Sequence, residues 1–259
     1  MNIQWNAQGY TQNFSFVHEY GRGLIDLLEG GGLSVLDLGC GNGALTQRLA
    51  QAGFRAEGLD ASPELLEVAR QSYPGLAFRQ GDAVDFQTAE PFDAVFSNAV
   101  LHWIDMDKQD GMLRCVNQAL KPGGQFVFEM GGHGNNALIH GALERAFTRR
   151  GLSYRMPFYF PTVGQYAARL EAAGFRVASA ALFDRPTPLN GPEGLYDWLR
   201  MFIKSPFAGA DPAAREEILR EAVGQLRGPL LQEGVWYCDY VRLRCKAIKE
   251  TEINHIERK

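Results

Sequence analysis

The sequence predicts a doubly wound α/β fold on a mostly parallel sheet, and three observations point to it. Short apolar runs alternate with helical stretches of about ten residues between positions 33 and 130, the pattern of βαβ units. A glycine-rich turn, Gly39-Cys40-Gly41-Asn42-Gly43, follows the first apolar run and opens a helix. Helix starts and stops fall at matching places, with Ser62-Pro63-Glu64 as a start and Lys121-Pro122-Gly123-Gly124 as a stop.

The elements follow in order. Residues 14–29 read as an amphipathic helix with Phe14, Val17, Leu24, Ile25, Leu27 and Leu28 near one face, stopped by Gly30-Gly31-Gly32. Leu33 to Leu38 is the first strand, and a helix from Ala44 to Ala52 follows the glycine turn. Arg55 to Leu59 is the next strand, ending at Asp60, and its helix runs to Ser72. Leu76 to Arg79 and Phe92 to Ser97 are strands, Asp107 to Leu120 is a helix, and Gln125 to Met130 is a strand. The second half is richer in helix, at 137–150, 163–173, 195–203 and 212–226, with strand patterns at 176–183 and 235–248.

This divides one domain, 1–259, into an N-terminal helical lid (1–32), a core (33–130) and a helical cap with one returning strand (131–235). A C-terminal edge strand (236–248) and a mobile tail (249–259) complete it.

Composition narrows the function. Hydrophobic residues make up 46% and charged residues 22% of 259, ordinary for a globular chain. The net charge of −4 argues against nucleic acid as a partner, since phosphate binding needs a basic surface. Cys40, Cys115, Cys238 and Cys245 form no C-x-x-C pair and have no histidine cluster, so neither a disulfide framework nor a metal site is expected. Met1 to Tyr10 is polar, with no signal-peptide pattern, and no stretch reaches the roughly 18 apolar residues of a membrane span. A cytoplasmic monomer or homodimer with no membrane partner is expected.

The glycine turn invites a ligand. In open α/β sheets, ligands bind beyond the carboxyl ends of the strands, where a helix N-terminus also offers free N–H groups. Gly39, Gly41 and Ala44 fit the dinucleotide spacing G-x-G-x-x-G/A, and Asp60 lies where an acid would hold a ribose. The glycines alone leave a nicotinamide dehydrogenase and a methyltransferase both open.

The surrounding segments carry more information. Asp37-Leu38-Gly39-Cys40-Gly41-Asn42-Gly43, Gly58-Leu59-Asp60-Ala61-Ser62, Gly81-Asp82-Ala83, Phe92 to Ala99 and Leu120-Lys121-Pro122-Gly123-Gly124 occur together in order. In these the chain resembles the class I methyltransferases that use S-adenosylmethionine. Asn42 stands where the family often has proline. The resemblance implies a Rossmann-like, seven-stranded sheet with helices on both faces, and S-adenosylmethionine as cofactor. It also implies a cofactor-binding set of Asp37, Gly39, Cys40, Gly41, Asp60, Ala61, Asp82, Ala83, Asn98, Ala99 and Trp103. In that set Asp37 faces the amino-acid end, Asp60 accepts from both ribose hydroxyls, and Asp82 and Ala83 hold the adenine.

Within the class the chain is similar to the trans-aconitate methyltransferase group, through Trp5-Asn6-Ala7 with Tyr10 and Asn98-Ala99-Val100-Leu101-His102-Trp103-Ile104. That group methylates a carboxylate oxygen on a small molecule. A carboxylate needs no general base, whereas a hydroxyl, amine or carbon acid does. Candidate catalytic residues are His133, His102 and Tyr10, with Tyr10 closing the pocket. Tyr154, Phe158, Tyr159, Phe160 and Trp198 are aromatic candidates for the acceptor wall. No strong acceptor-binding arginine signature is present. A carrier-bound or natural-product acceptor at O, N or C, and a non-catalytic cofactor-binding module, are the alternatives.

Overall fold

The computed structural model describes residues 22–251. The expected N-terminal helix begins outside the described residues, which open with α1 (Arg22–Ile25). The chain then alternates: β1 (Ser34–Leu38), α2 (Ala44–Gln51), β2 (Arg55–Asp60), α3 (Pro63–Ser72), β3 (Ala77–Gln80), β4 (Phe92–Asn98), α4 (Gln109–Ala119) and β5 (Leu120–Gly131). The C-terminal half holds α5 (Ala137–Thr148), α6 (Val163–Ala172), β6 (Phe175–Pro188), α7 (Gly194–Phe202), α8 (Pro212–Leu230), β7 (Leu231–Gln232) and β8 (Val235–Lys249).

The main sheet runs β3-β2-β1-β4-β5-β8-β6, and the two-residue β7 pairs with the start of β8. The first five strands are mutually parallel. β8 is antiparallel to both its neighbours, β5 and β6. This corrects the expectation of a C-terminal edge strand: β8 lies inside the sheet and β6 forms the edge. The physical reason is in the side chains. Leu243, Cys245 and Ala247 are buried on one face of β8, while most of β6 is exposed.

Local chemistry explains the helix starts. Ser62 accepts the Leu65 N–H at 3.2 Å through its hydroxyl, with Pro63 in the first turn and Glu64 complementing the helix dipole. Thr162 and Gln165 form a reciprocal capping box at α6. Lys121-Pro122-Gly123-Gly124 ends no loop: α4 passes directly into β5, and the segment sits at an irregularity in the β4–β5 register.

Two large apolar cores result. One lies under the sheet, where Phe126, Phe128, Met130, Met112, Leu113 and Tyr166 pack. The other belongs to α5, α7 and α8, with Leu143, Phe147, Trp198, Leu199, Ile218 and Leu226. Between them, beyond the carboxyl ends of β1, β2 and β4, the molecule leaves a cleft.

Candidate active site

The cleft lies where strand order reverses between β1 and β4, the usual ligand position in an open α/β sheet. It encloses about 820 Å³, open mouth included. Its strand-end side is lined by Gly39, Gly41, Asp60, Asn98 and Ala99; its far side by Trp103, Phe158, Phe160, Trp198, Tyr240 and Arg242. His102, Asn135 and Asn136 also border it.

The glycine turn is held by backbone. The N–H groups of Gly39 and Cys40 both donate to the Leu59 carbonyl, at 2.7 and 3.1 Å, which locks the turn to the end of β2. Gly39 has φ +78, and a Cβ there would meet Val100 Cγ2 at 2.3 Å. Gly41, at φ +55, has nothing within 4 Å of its missing Cβ and borders the cleft, so a ligand can lie against its backbone.

Asp60 closes β2 and is 8% exposed. Its Oδ2 accepts from Gly41 N–H at 2.9 Å and its Oδ1 from Ser62 N–H at 2.8 Å. Each oxygen retains lone-pair capacity, so a vicinal diol can donate to both. Burial raises the Asp60 carboxyl above its ordinary range, while the backbone hydrogen bonds at Ser62, Gly41 and Ala61 pull it back. Those open lone pairs beside the bare Gly41 backbone fit a ribose and its neighbouring chain.

Asp37 is more deeply set. It is 1% exposed and accepts from the Thr46 hydroxyl at 2.7 Å. Burial pushes its carboxyl up to about 7, with the Thr46 hydrogen bond lowering it and the Asp60 charge raising it. Asp37 sits behind the glycine turn and does not border the cleft.

His102 occupies a short 3-10 turn, Leu101–Trp103, after β4. Gln109 ties this turn down by donating to the carbonyls of Leu101 (2.8 Å) and Ile104 (2.9 Å), and it accepts in turn from the Tyr166 hydroxyl at 3.0 Å. The Gly131 N–H donates to His102 Nδ1 at 3.2 Å. A backbone N–H can only donate, so Nδ1 carries the lone pair and Nε2 the proton. Burial, with the Arg242 charge adding to it, holds the imidazole neutral well below its ordinary range. The ring offers the cleft a donor, so of the two roles open to His102, taking a proton or hydrogen-bonding an acceptor, this geometry suits the second.

His133 is the other histidine candidate. It lies in the exposed turn after β5, its N–H donates to the Pro161 carbonyl at 2.8 Å, and its side chain does not border the cleft. Tyr10 lies outside the described residues. Of the expected cofactor residues, Gly39, Gly41, Asp60, Asn98, Ala99 and Trp103 meet at the cleft. Cys40, Ala61, Asp82 and Ala83 do not border it: Cys40 packs against Leu66 and Phe78, Ala83 packs in the under-sheet core, and Asp82 accepts from Val84 N–H at 3.3 Å in its own turn. Leu65, Asn136, Phe202, Tyr240 and Arg242 border the cleft without having been singled out. For the last two, the signal was the alternation Tyr240, Arg242, Arg244, Lys246 along an otherwise apolar strand. Among the described residues no cluster of His, Cys, Asp and Glu can hold a metal, and no helix is long and apolar enough to cross a membrane.

Comparison with known proteins agrees with this geometry. A model of the methyltransferase domain family matches residues 35–124. An uncharacterized methyltransferase of Schizosaccharomyces pombe is 33% identical over 95% of this chain and 98% of its own. A trans-aconitate 2-methyltransferase of Deinococcus radiodurans is 30% identical over 91% of this chain and 95% of its own. Two solved structures share the fold. An S-adenosylmethionine-dependent methyltransferase of Mesorhizobium loti has a TM-score of 0.52 at 21% identity, covering 89% of this chain and 96% of that one. The phosphoethanolamine N-methyltransferase 2 of Haemonchus contortus, solved with S-adenosylhomocysteine, has a TM-score of 0.59 at 17% identity, covering 95% of this chain and 57% of that one. With relatives at 30% identity or above aligned along nearly the whole sequence, the chain belongs to the class I S-adenosylmethionine-dependent methyltransferases, enzymes that take their methyl group from that cofactor.

Proposed function

We propose that the enzyme methylates a carboxylate oxygen of a small molecule. The observation that carries this reading is His102. The histidine at the cleft is a neutral hydrogen-bond donor with its basic nitrogen already occupied by Gly131 N–H. A site that presents donors suits an acceptor that is already anionic at neutral pH.

Asp60 would hold the ribose, Gly39 and Gly41 the amino-acid end, and Asn98 and Ala99 the strand end beside the reacting centre. Asp37, one layer behind, would supply charge to the cofactor's ammonium through the loop. Bound S-adenosylmethionine would supply an activated methyl group on a positively charged sulfur, which an already ionised carboxylate can accept without a general base. The chain's own task is alignment and exclusion of water. Ala99, held at φ +60 with its N–H on the Glu129 carbonyl at 2.7 Å, sets the strand end at a fixed height for that alignment.

The test is product chemistry. The enzyme is incubated with methyl-labelled S-adenosylmethionine and a panel of carboxylic acids, alcohols and amines. The reading expects label in alkali-labile methyl esters. Label only in alkali-stable ethers, amines or C-methyl products would sink it and favour the O-, N- or C-methylation of a natural-product acceptor.

A further inference from the structure

The far wall of the cleft holds a buried cation, Arg242, that feels the Glu129 charge but forms no ion pair with it. On β8, strand alternation puts Tyr240, Arg242, Arg244 and Lys246 on one face. Glu129 of β5 faces them. Its carboxylate is spent on other partners: Oε1 accepts from Arg185 at 2.5 Å, and Oε2 accepts from Arg185 at 2.8 Å and from Arg244 Nε at 2.9 Å. Lys246 pairs with Glu29 at 2.8 Å. Among the described residues Arg242 forms no ion pair. It is only 8% exposed, its Nε has no hydrogen-bond partner, and it borders the cleft.

The fold fixes its position. The N–H of Gly132 donates to the Val241 carbonyl at 2.9 Å, and Val241 N–H donates to the Asn135 side chain at 2.9 Å. The residue next to that clamp is Arg242. Its guanidinium lies over the Tyr240 ring, 4.1 Å from the centroid, and Tyr240 is anchored by accepting from Trp198 Nε1 at 2.7 Å. Stacking uses the face of the guanidinium and leaves its N–H edge for a ligand. A buried charge without a partner is costly, so an anion that fills this place is strongly favoured.

The remaining wall is aromatic. Phe158 meets Trp103 edge-on at 4.6 Å and stacks with Phe160 at 5.4 Å, and Phe202 lies 5.1 Å from Trp198. Arg242 is the only Lys or Arg among the described residues bordering the cleft. One cation can pair one carboxylate; a tricarboxylate would bring two further anions against rings.

Resting on the carboxylate reading above, we infer that Arg242 is the acceptor-binding residue and that the acceptor is a monocarboxylic acid with an aromatic or bulky apolar body, its carboxylate on the Arg242 edge and the His102 N–H, its body among Trp103, Phe158, Phe160 and Phe202. A guanidinium edge can hold both carboxylate oxygens at once, and each oxygen keeps a further lone pair free to react.

The experiment is calorimetric titration of the full chain, saturated with S-adenosylhomocysteine, with 3-phenylpropanoate, 3-phenylpropanamide and trans-aconitate, in the wild type, Arg242→Gln and Arg242→Lys. The expected wild type binds 3-phenylpropanoate at least about tenfold more tightly than the amide or trans-aconitate. Arg242→Gln is expected to lose about 30- to 100-fold for 3-phenylpropanoate. Arg242→Lys should recover part of it, and S-adenosylhomocysteine affinity should stay within about twofold in all three. Tighter binding of trans-aconitate than of 3-phenylpropanoate by the wild type, or equal binding of 3-phenylpropanoate by Arg242→Gln, overturns the inference. The wild-type comparison decides this even if a variant fails to fold. Ester formation on other carboxylic acids that ignores Arg242 would leave the carboxylate reading standing and this inference refuted. Arg242-dependent binding without any ester product would do the reverse.

Discussion

The two walls of the cleft are built by different means. The strand-end wall is local: Gly39, Gly41 and Asp60 sit on consecutive βα turns, and the hydrogen bonds that shape it join residues within about one βαβ unit, as between Gly41 and Asp60. The far wall is assembled from the 3-10 turn after β4, the segment before α6, helix α7 and strand β8, brought together across more than a hundred residues, as between Asn135 and Val241. In the reading proposed above, the first wall serves a cofactor shared by a whole enzyme class and the second serves one acceptor. A short-range turn tolerates little change in its residues, whereas a wall drawn from four separate elements can be re-lined one side chain at a time without disturbing the sheet.

Substitutions in the local wall sharpen this contrast most. Asp60→Ala removes the acceptor of two backbone N–H groups and, in the proposed reading, both ribose contacts. S-adenosylhomocysteine affinity should fall by about 2–4 kcal/mol, read by calorimetry. Unchanged affinity would remove Asp60 from the ribose. Gly39→Ala comes next. It forces a left-handed alanine and drives its Cβ into Val100. Denaturant unfolding should show a loss of roughly 2–3 kcal/mol, partly restored by adding Val100→Ala. A single variant as stable as the wild type would mean that the turn has room the geometry denies it.

Legibility in the sequence follows the same division. Strand-to-helix alternation, the glycine turn and Asp60 were readable because each depends on a few adjacent residues. The helix stop before Lys121-Pro122-Gly123-Gly124 was readable, but the strand start at Gln125 was not, because tertiary pairing of Leu120 with Phe92 starts β5 there despite the turn residues. Arg242 was not legible as a site residue. Alternation showed a polar position on β8, but nothing local says that Glu129 is already taken by Arg185 and Arg244. The place of β8 inside the sheet was hidden for the same reason, since edge or centre depends on where β6 pairs. For His102, position after β4 was clear, but the proton's place on the ring needed the Gly131 N–H, 29 residues away.

Titration gives a finer test. Asp37 stands at about 7 in the folded protein against an ordinary 3.8. The folded state therefore holds a proton that the unfolded state has released, and this group's contribution to stability falls as pH rises between those two values. Asp37→Asn should remove that fall. The stability of wild type minus variant should decline from about pH 4 to about pH 7, with a slope below the one-proton limit of about 1.4 kcal/mol per pH unit. A difference that rises with pH, or stays flat, would contradict an Asp37 carboxyl raised by burial.

The smallest expected effect is none. His133→Ala should leave turnover and cofactor affinity within about twofold of the wild type, since the side chain is exposed and away from the cleft. A large loss of turnover in that variant would bring the turn after β5 back into the chemistry.

The most direct test of two walls serving two ligands is a crystal structure of the enzyme with S-adenosylhomocysteine and 3-phenylpropanoate. The expected arrangement has both ribose hydroxyls on Asp60 and the carboxylate on Arg242, with the phenyl ring between Trp103 and Phe158. A ribose held elsewhere, or a carboxylate turned away from Arg242 toward solvent, would contradict it.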